Sequence, residues 1–273
     1  MSNLGSDTFN NVQIGIIGCG HLGQAILESL INHGFRKKNL FISYKGSPST
    51  YGKIEKMGLA SCISGNERIF NEADIIFITT KPHDVISLKE IPISQSTLVV
   101  SCLAGVSVEI LKNIFKSDVC RIMLSGPDTI IAEKGVATVY PYNELVACIL
   151  NKMNLQILKI SDERYIDIFT AAVCLPAALL QEDNEEVINE AINEMEKEWA
   201  SFLDLYKWAK RILPSFNTKN EKVEYIARMI TKGGVTEAII DSLKSGEIFI
   251  NALRKGITRS KDISREISNS ILN

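Results

Sequence analysis

Residues 12–23 read VQIGIIGCGHLG, and this stretch decides the fold. Val12–Gly18 is an apolar run rich in β-branched residues, which predicts a buried strand. Apolar residues from Leu22 onward then recur at helical spacing until about Gly34, which predicts a helix. The turn between them carries the pattern G-x-G-x-x-G at positions 18, 20 and 23. Strand, glycine turn and helix in this order are typical of the first unit of a doubly wound sheet.

The three glycines have separate roles in a dinucleotide-binding turn. The first allows the tight turn, the second lets the backbone approach a pyrophosphate, and the third permits close packing of helix on strand. Backbone N–H groups at the helix start face the anion. We therefore predict that a dinucleotide contacts residues of this turn, namely Gly18, Gly20, His21, Leu22 and Gly23. The alternative is a glycine turn of purely structural use.

The end of the second predicted strand indicates which dinucleotide is bound. Residues 42–47 read ISYKGS and contain no carboxylate for a ribose 2′-hydroxyl. Hydroxyl donors and a positive charge suit a 2′-phosphate instead, so Ser43, Tyr44, Lys45 and Ser47 predict NADP(H), with NAD(H) as the alternative. These residues could equally be an ordinary turn that leads into Pro48.

Strand and helix patterns alternate through the first part of the chain and then give way to helices. The predicted strands are 40–44, 74–79, 97–101, 119–123, 136–140 and 155–160, and the predicted helices are 51–57, 84–89, 108–115 and 144–153. This alternation predicts a parallel sheet with helices on both faces. After Ser161 the predicted helices are 187–206, 221–230, 236–243 and 248–267. The expected fold class is α/β, with an N-terminal Rossmann-type doubly wound sheet over residues 1–160 and an all-α C-terminal dimerisation domain over 161–273.

Composition excludes several classes of protein. The 273 residues carry 30 Lys and Arg against 32 Asp and Glu, a net charge of -2, which argues against a nucleic-acid partner. Met1–Asn11 is polar and does not resemble a signal peptide, and the longest apolar run, Ala171–Leu180, is too short to span a bilayer. Neither the cysteines nor the histidines have metal-site spacing, so we expect no metal and a cytoplasmic protein.

Several ordered segments of the chain resemble the pyrroline-5-carboxylate reductases. They are IGIIGCGHLGQAIL at 14–27, the Lys81-Pro82 pair, VVSCLAGVSVEIL at 99–111, CRIMLSGPDTIIAEKGVATV at 120–139 and ITKGGVTEAIIDSLKSGEIFINAL at 230–253. The resemblance implies NAD(P)H-dependent reduction of a cyclic imine, the closing step of proline biosynthesis. It also implies a homodimer at least, often gathered into larger rings, and the wide apolar stripe of the helix predicted over 187–206 favours such a partner.

The same resemblance implies roles for individual residues. The backbone of Gly233, Gly234 and Val235 would hold the substrate carboxylate, and the Thr236 hydroxyl would bond the ring nitrogen and so act as the catalytic group. Further cofactor contacts would come from Thr80, Lys81, Pro82, Ala104 and Ser125. An ordinary helix N-cap is the alternative for Thr236. His83 is interpreted as a surface histidine rather than an acid.

Two segments depart from the family pattern. Leu124-Ser125-Gly126-Pro127 stands where the family has Pro-Asn-Thr-Pro, and residues 172–178 read AVCLPAA where it has Ser-Gly-Ser-Gly-Pro-Ala-Tyr. Three functions stay open at this point: a pyrroline-5-carboxylate reductase, a reductase of another cyclic imine or small acid, and a non-catalytic protein that has kept the cofactor loop.

Overall fold

The computed structural model describes residues 11–272, and their side chains as far as residue 270. Met1–Asn10 and Asn273 lie outside the described residues. The prediction that the N-terminus is not a signal peptide rests on Met1–Asn11, so nearly all of its segment lies outside them as well. The chain divides into two compact units. The first covers the residues up to Ser161 together with those from Ile267 onward, and the second covers Asp162–Glu266.

The first unit is built on a seven-stranded sheet. Its strands are β1 Ile14–Ile17, β2 Leu40–Ser43, β3 Ile75–Ile78, β4 Leu98–Ser101, β5 Asp118–Leu124, β6 Val136–Tyr140 and β7 Gln156–Ile157. Their order across the sheet is β2-β1-β3-β4-β5-β6-β7. The first five strands pair in parallel, as the sequence predicts. β1 and β3 are buried along their whole length, as expected for central strands of a sheet that is covered on both faces.

The far edge of the sheet differs from the prediction. β6 runs antiparallel to β5, so the sheet is mixed rather than all-parallel. The cause is the short connection between these strands, since a parallel crossover needs roughly a dozen residues or more and usually a full helix. β7 then returns to a parallel pairing with β6, but only Gln156 and Ile157 form strand, where 155–160 is predicted.

Six α-helices lie wholly among the described residues of the first unit. They are α1 His21–Asn32, α2 Pro48–Lys56, α3 Asn66–Glu72, α4 Val108–Phe115, α5 Pro127–Ile131 and α6 Glu144–Lys152. α3 and α5 are missed by the sequence prediction because each is too short to show a helical period. The helix predicted over 84–89 is instead a 3-10 helix, Pro82–Leu88.

The described residues of the second unit form helices joined by loops, without a strand. Its helices are α7 Tyr165–Ala172, α8 Leu175–Gln181, α9 Glu185–Glu198, α10 Phe202–Ile212, α11 Lys219–Met229 and α12 Val235–Lys244, together with the start of α13 Phe249–Leu272. No described helix combines the length and the apolar character needed to cross a membrane.

The single long helix predicted over 187–206 is wrong. The helix is interrupted between α9 and α10, where Trp199 has extended backbone angles (φ -154°, ψ 109°). The indole ring stacks on Tyr165 of α7 at 5.8 Å between centroids, and it lies 6.5 Å from the Phe169 ring. The break lets both halves of the apolar stripe pack inside one chain, so that Phe202 and Met195 are fully buried. The stripe therefore gives no physical reason for a partner chain.

Candidate functional site

The glycine turn between β1 and α1 has the geometry that its three positions predict. Gly18 has φ +95°, and a Cβ there would lie 2.7 Å from the backbone nitrogen of Thr80. A Cβ on Gly23 would lie 2.8 Å from the carbonyl oxygen of Gly18. A Cβ on Gly20 would meet nothing within 4 Å. The first and third glycines are thus required by the fold, whereas the space beside the second is open.

Hydrogen bonds gather the ends of three strands around this turn. The backbone N–H groups of Gly18 and Cys19 donate to the carbonyl of Ser43 at 3.0 and 3.1 Å, which joins the ends of β1 and β2. The Thr79 hydroxyl donates to the Gly18 carbonyl at 2.7 Å, which adds the end of β3. Because β1 lies between β2 and β3, the turn sits at the point where the strand order reverses, the usual ligand position in an open α/β sheet.

The turn fits the phosphates of a dinucleotide. The backbone N–H groups of His21 and Leu22 have no hydrogen-bond partner among the described residues, and the first turn of α1 holds no acidic side chain. The helix start therefore offers unpartnered donors and a partial positive charge to an anion. The Thr80 hydroxyl, beside Gly18, is buried and lacks a partner in the described part of the chain. The His21 side chain is exposed, and the Leu22 side chain is half-buried against the core.

The end of β2 is close to the turn but partly engaged in its own contacts. Lys45 forms an ion pair with Asp84 at 2.9 Å, and this bond holds the pKa of the Asp84 carboxyl below its usual range. The Ser43 hydroxyl donates to Asn66, and the Ser47 hydroxyl lies 3.0 Å from that of Ser49. Tyr44 is half-buried.

The remaining predicted cofactor contacts differ in how far solvent reaches them. Lys81 is exposed and precedes the 3-10 helix that begins at Pro82, and Ala104 lies half-buried in the loop after β4. Ser125 is only 1 % exposed, and its hydroxyl accepts from the N–H of Val136 at 3.0 Å while it bonds the Thr129 hydroxyl at 2.6 Å. The Ser125 side chain is thus occupied by contacts within the fold.

The second glycine loop, at the start of α12, is internally hydrogen-bonded. The Gly233 N–H donates to the Glu237 carboxylate at 2.6 Å, and the Gly234 N–H donates to the Thr231 carbonyl at 2.8 Å. Arg259 donates from Nε to the Gly233 carbonyl at 2.7 Å. The next two N–H groups, those of Val235 and Thr236, have no partner within residues 11–272. These two, rather than those of the glycines, are available to an anion.

Thr236 is not the N-cap of α12, so that interpretation is wrong. Gly234 holds the N-cap position, and Thr236 lies in the first turn of the helix. Its hydroxyl donates to the Cys174 sulfur at 3.2 Å. Burial raises the pKa of the Cys174 thiol to about 11, so the thiol is protonated at neutral pH. Cys174 belongs to the segment 172–178 that departs from the family pattern.

Sequence reasoning gave no site role to Asp84, Cys174, Glu237 and Arg259, which contact predicted site residues. Glu237 could have been found, because an acidic residue in the first turn of a helix often reaches back to an N–H group before it. The other three come from distant parts of the chain, and no local spacing indicates them. Within the described residues no cluster of His, Cys, Asp and Glu is arranged to hold a metal ion.

The chain is similar to known oxidoreductases. Residues 13–105 match the family model described as NADP oxidoreductase, coenzyme F420-dependent. Pyrroline-5-carboxylate reductase 2 of Bacillus subtilis is 25% identical over 278 residues, which cover 95% of this chain and 98% of that protein. The Escherichia coli pyrroline-5-carboxylate reductase is 35% identical over 139 residues, which cover 49% of this chain and 51% of that protein.

Solved structures show the same fold at low identity. A pyrroline-5-carboxylate reductase from Coxiella burnetii superposes with a TM-score of 0.60 and 22% identity, over 93% of this chain and 99% of the other. The Plasmodium falciparum pyrroline carboxylate reductase, determined with NADP bound, gives 0.57 and 19%, over 94% and 99%. These structures show that the chain has the fold of the pyrroline-5-carboxylate reductases, to which it is similar over most of its length at low sequence identity.

Proposed function

We propose that the protein reduces the cyclic imine 1-pyrroline-5-carboxylate to L-proline with NADP(H). The observation that carries the proposal is the similarity to a pyrroline-5-carboxylate reductase over 95% of the chain. The open space at Gly20 and the unpartnered amides of α1 support the cofactor half. The unpartnered amides at the start of α12 support the substrate half.

The cofactor is held by the turn after β1. The backbone at Gly20 and the amides of His21 and Leu22 bind the pyrophosphate, while Gly18 and Gly23 shape the turn. When bound, NADP(H) supplies the hydride for the reduction. The resemblance adds Thr80, Lys81, Pro82 and Ala104 to the cofactor contacts. Ser125 contributes through its backbone or by shaping the pocket, because its hydroxyl is already paired.

Lys45 gives a preference for NADP(H) over NAD(H). Its ammonium group is exposed beside the end of β2, in the position that faces the ribose 2′ substituent in this type of sheet. Tyr44 and the hydroxyls of Ser43 and Ser47 complete this pocket. The ion pair with Asp84 must be shared or released when a phosphate binds, and this moderates the preference.

The start of α12 binds the substrate. The amides of Val235 and Thr236 hold the carboxylate, aided by the partial positive charge at the helix N-terminus. Gly233, at φ +71°, allows the turn that presents them, and a Cβ on Gly234 would lie 2.8 Å from the Thr231 carbonyl oxygen. The Thr236 oxygen accepts a hydrogen bond from the protonated ring nitrogen.

The protein needs no general acid if the imine binds already protonated. Its contribution is then to orient the imine, to stabilise its charge and to exclude water, which together reduce the barrier. His83 has no role in this scheme. Its ring is exposed and lies 3.9 Å from the Asp84 carboxylate.

A second candidate is a reductase of a different cyclic imine or small acid. The observation that favours it is the contact between Thr236 and Cys174, because Cys174 lies in the rewritten segment 172–178. A changed neighbour at the substrate-binding threonine alters the shape of the pocket and hence the ring that fits.

We also propose that the protein is a cytoplasmic homodimer or a larger assembly of dimers. The resemblance supports the dimer, and so do two exposed apolar side chains of the helical unit, Val223 and Ile248. Six unpaired cysteines suit a reducing compartment. Light scattering of the purified protein measures the assembly directly.

The function is tested with NADPH consumption on a matched set of compounds. The set contains 1-pyrroline-5-carboxylate, the same ring without its carboxylate, and the six-membered homologue with its carboxylate. We expect the fastest turnover with the first compound, and a large increase in KM when the carboxylate is missing. Preference for the six-membered ring supports the second candidate, and no turnover with any of them contradicts a reductase.

A further inference from the structure

Cys174 and Thr236 form part of a directed chain of hydrogen bonds in the second unit. The Thr236 hydroxyl donates to the Cys174 sulfur at 3.2 Å, and the Cys174 thiol donates to the backbone carbonyl of Thr170 at 3.2 Å. Cys174 is 8% exposed, and Thr236 is half-buried. This chain of hydrogen bonds therefore runs from α12, which follows the second glycine loop, to the Thr170 carbonyl of α7.

The direction of this chain follows from what each group can donate. A carbonyl oxygen only accepts, so the single thiol proton of Cys174 is committed to Thr170. Burial keeps that proton on the sulfur at neutral pH, as the raised pKa of about 11 indicates. The sulfur can then only accept from Thr236. As a result the hydroxyl proton of Thr236 is engaged, and its oxygen keeps free lone pairs.

We propose that Cys174 is a positioning residue, which fixes the hydroxyl proton of Thr236 so that the oxygen acts as an acceptor for the substrate. The inference rests on the proposed function, because a protonated cyclic imine has a ring N–H donor and no lone pair on nitrogen. A hydroxyl that is free to rotate would spend part of its time with its proton directed at that N–H.

The same arrangement selects between classes of substrate. An iminium N–H requires an acceptor, and the fixed Thr236 oxygen provides one. A carbonyl oxygen in the same place requires a donor, which Thr236 does not provide while its proton is held by the sulfur. The structure thus favours protonated imines over 2-oxo acids of similar size.

The test compares two substitutions of Cys174 that change packing alike but hydrogen bonding differently. Cys174→Ala and Cys174→Ser both introduce a smaller side chain, but only serine can accept from Thr236 and donate to Thr170. We expect Cys174→Ala to lower kcat/KM for 1-pyrroline-5-carboxylate about fivefold to tenfold, the size of one orienting hydrogen bond, and Cys174→Ser to recover most of it. Cys120→Ala removes a buried thiol of the first unit and is the control for loss of a thiol.

Thr236→Val supplies a second test, because it removes the hydroxyl through which Cys174 acts. In that background Cys174→Ala should cause no further loss in kcat/KM. Infrared difference spectra between parent and Cys174→Ala isolate the S–H stretching band of this thiol, and the band should shift when Thr236 becomes valine. Thermal unfolding of every variant shows that the comparison is made between folded proteins.

The outcomes separate this inference from the function on which it rests. If the parent reduces the imine but Cys174→Ala is as active, or if alanine and serine lower kcat/KM equally, the positioning role is overturned. An S–H band that Thr236→Val does not shift overturns it as well. If the parent reduces no imine at all, the proposed function fails, and the role assigned to Cys174 fails with it.

Discussion

The two glycine loops differ in which groups hold their backbone within the fold. At the first loop, the second glycine faces open space and the amides of His21 and Leu22 are unpartnered. At the second, Glu237, Thr231 and Arg259 occupy the backbone groups of the two glycines. The Gly18 backbone is bonded to Ser43 and Thr79 at the ends of the neighbouring strands, whereas the Gly233 backbone is bonded to the charged side chains of Glu237 and Arg259. A motif made of glycines alone can describe the first loop but not the second.

The largest effect is expected at the first loop. Gly20→Val should weaken NADPH binding by about a hundredfold or more, roughly 3 kcal/mol, because the side chain fills the space through which the backbone meets the pyrophosphate. The fold should persist, since a Cβ at this position meets nothing within 4 Å. Fluorescence titration with NADPH and thermal unfolding measure the two quantities.

Gly65→Val is the matched control for this variant. Gly65 also precedes a helix, has ordinary φ -71° and has nothing within 4 Å of an added Cβ. It should bind NADPH as the parent does. Equal affinity in Gly20→Val and the parent would contradict the role assigned to the first loop.

The next largest effect is expected at Thr236. Thr236→Ala should lower kcat/KM about tenfold, the loss of one hydrogen bond in the transition state, while Thr236→Ser should keep most of the activity. Stability should change little, because the hydroxyl does not cap α12. Steady-state kinetics and thermal unfolding distinguish this from a structural role, which would lower stability and leave kcat/KM unaffected.

Much of the first unit could be predicted from the sequence, and the reason is physical. Five parallel strands and the turn at Gly18–Gly23 follow from local runs and from backbone geometry, which neighbouring residues determine. The antiparallel β6 and the break at Trp199 could not be predicted in this way. Both depend on contacts made across the fold, such as the stacking of Trp199 on Tyr165.

The same distinction applies to the candidate sites. Gly18, Gly20 and Gly23 have distinct backbone requirements that a pattern can express. The partners of Thr236 and Lys45 are Cys174 and Asp84, which lie 62 and 39 positions away in the sequence. No spacing rule connects them, so their contacts appear only in the folded chain.

A smaller effect is expected at Lys45, which tests whether the end of β2 belongs to the cofactor region. Lys45→Glu should reduce the ratio of NADPH to NADH affinity about fivefold, less than for a buried charge because the side chain is 79% exposed and screened by solvent. Lys38→Glu makes the same charge change at another exposed lysine and should leave the ratio unchanged. A ratio that is the same in both variants and the parent would place the 2′-phosphate elsewhere.

The smallest effect is expected at Glu237. This carboxylate accepts from the Gly233 N–H at the second loop, whereas the helix after the first loop has no acidic residue in its first turn. Glu237→Gln removes a negative charge beside the amides of Val235 and Thr236, while its amide oxygen can still accept from the Gly233 N–H. We expect KM for the imine carboxylate to fall about threefold and stability to drop by about 0.5 kcal/mol, since an acidic residue in the first helical turn is favourable. An increase in KM would show that the Glu237 carboxylate assists substrate binding.

The most direct measurement of the central claim follows the product. Purified protein is incubated with 1-pyrroline-5-carboxylate and NADPH, and proline is quantified by chiral chromatography beside the NADPH consumed. The account predicts one L-proline formed for each NADPH oxidised, and proline formation about a hundredfold slower with Gly20→Val at an NADPH concentration below the Kd of the parent. Oxidation of NADPH without proline, or proline formed equally well by Gly20→Val, would contradict it.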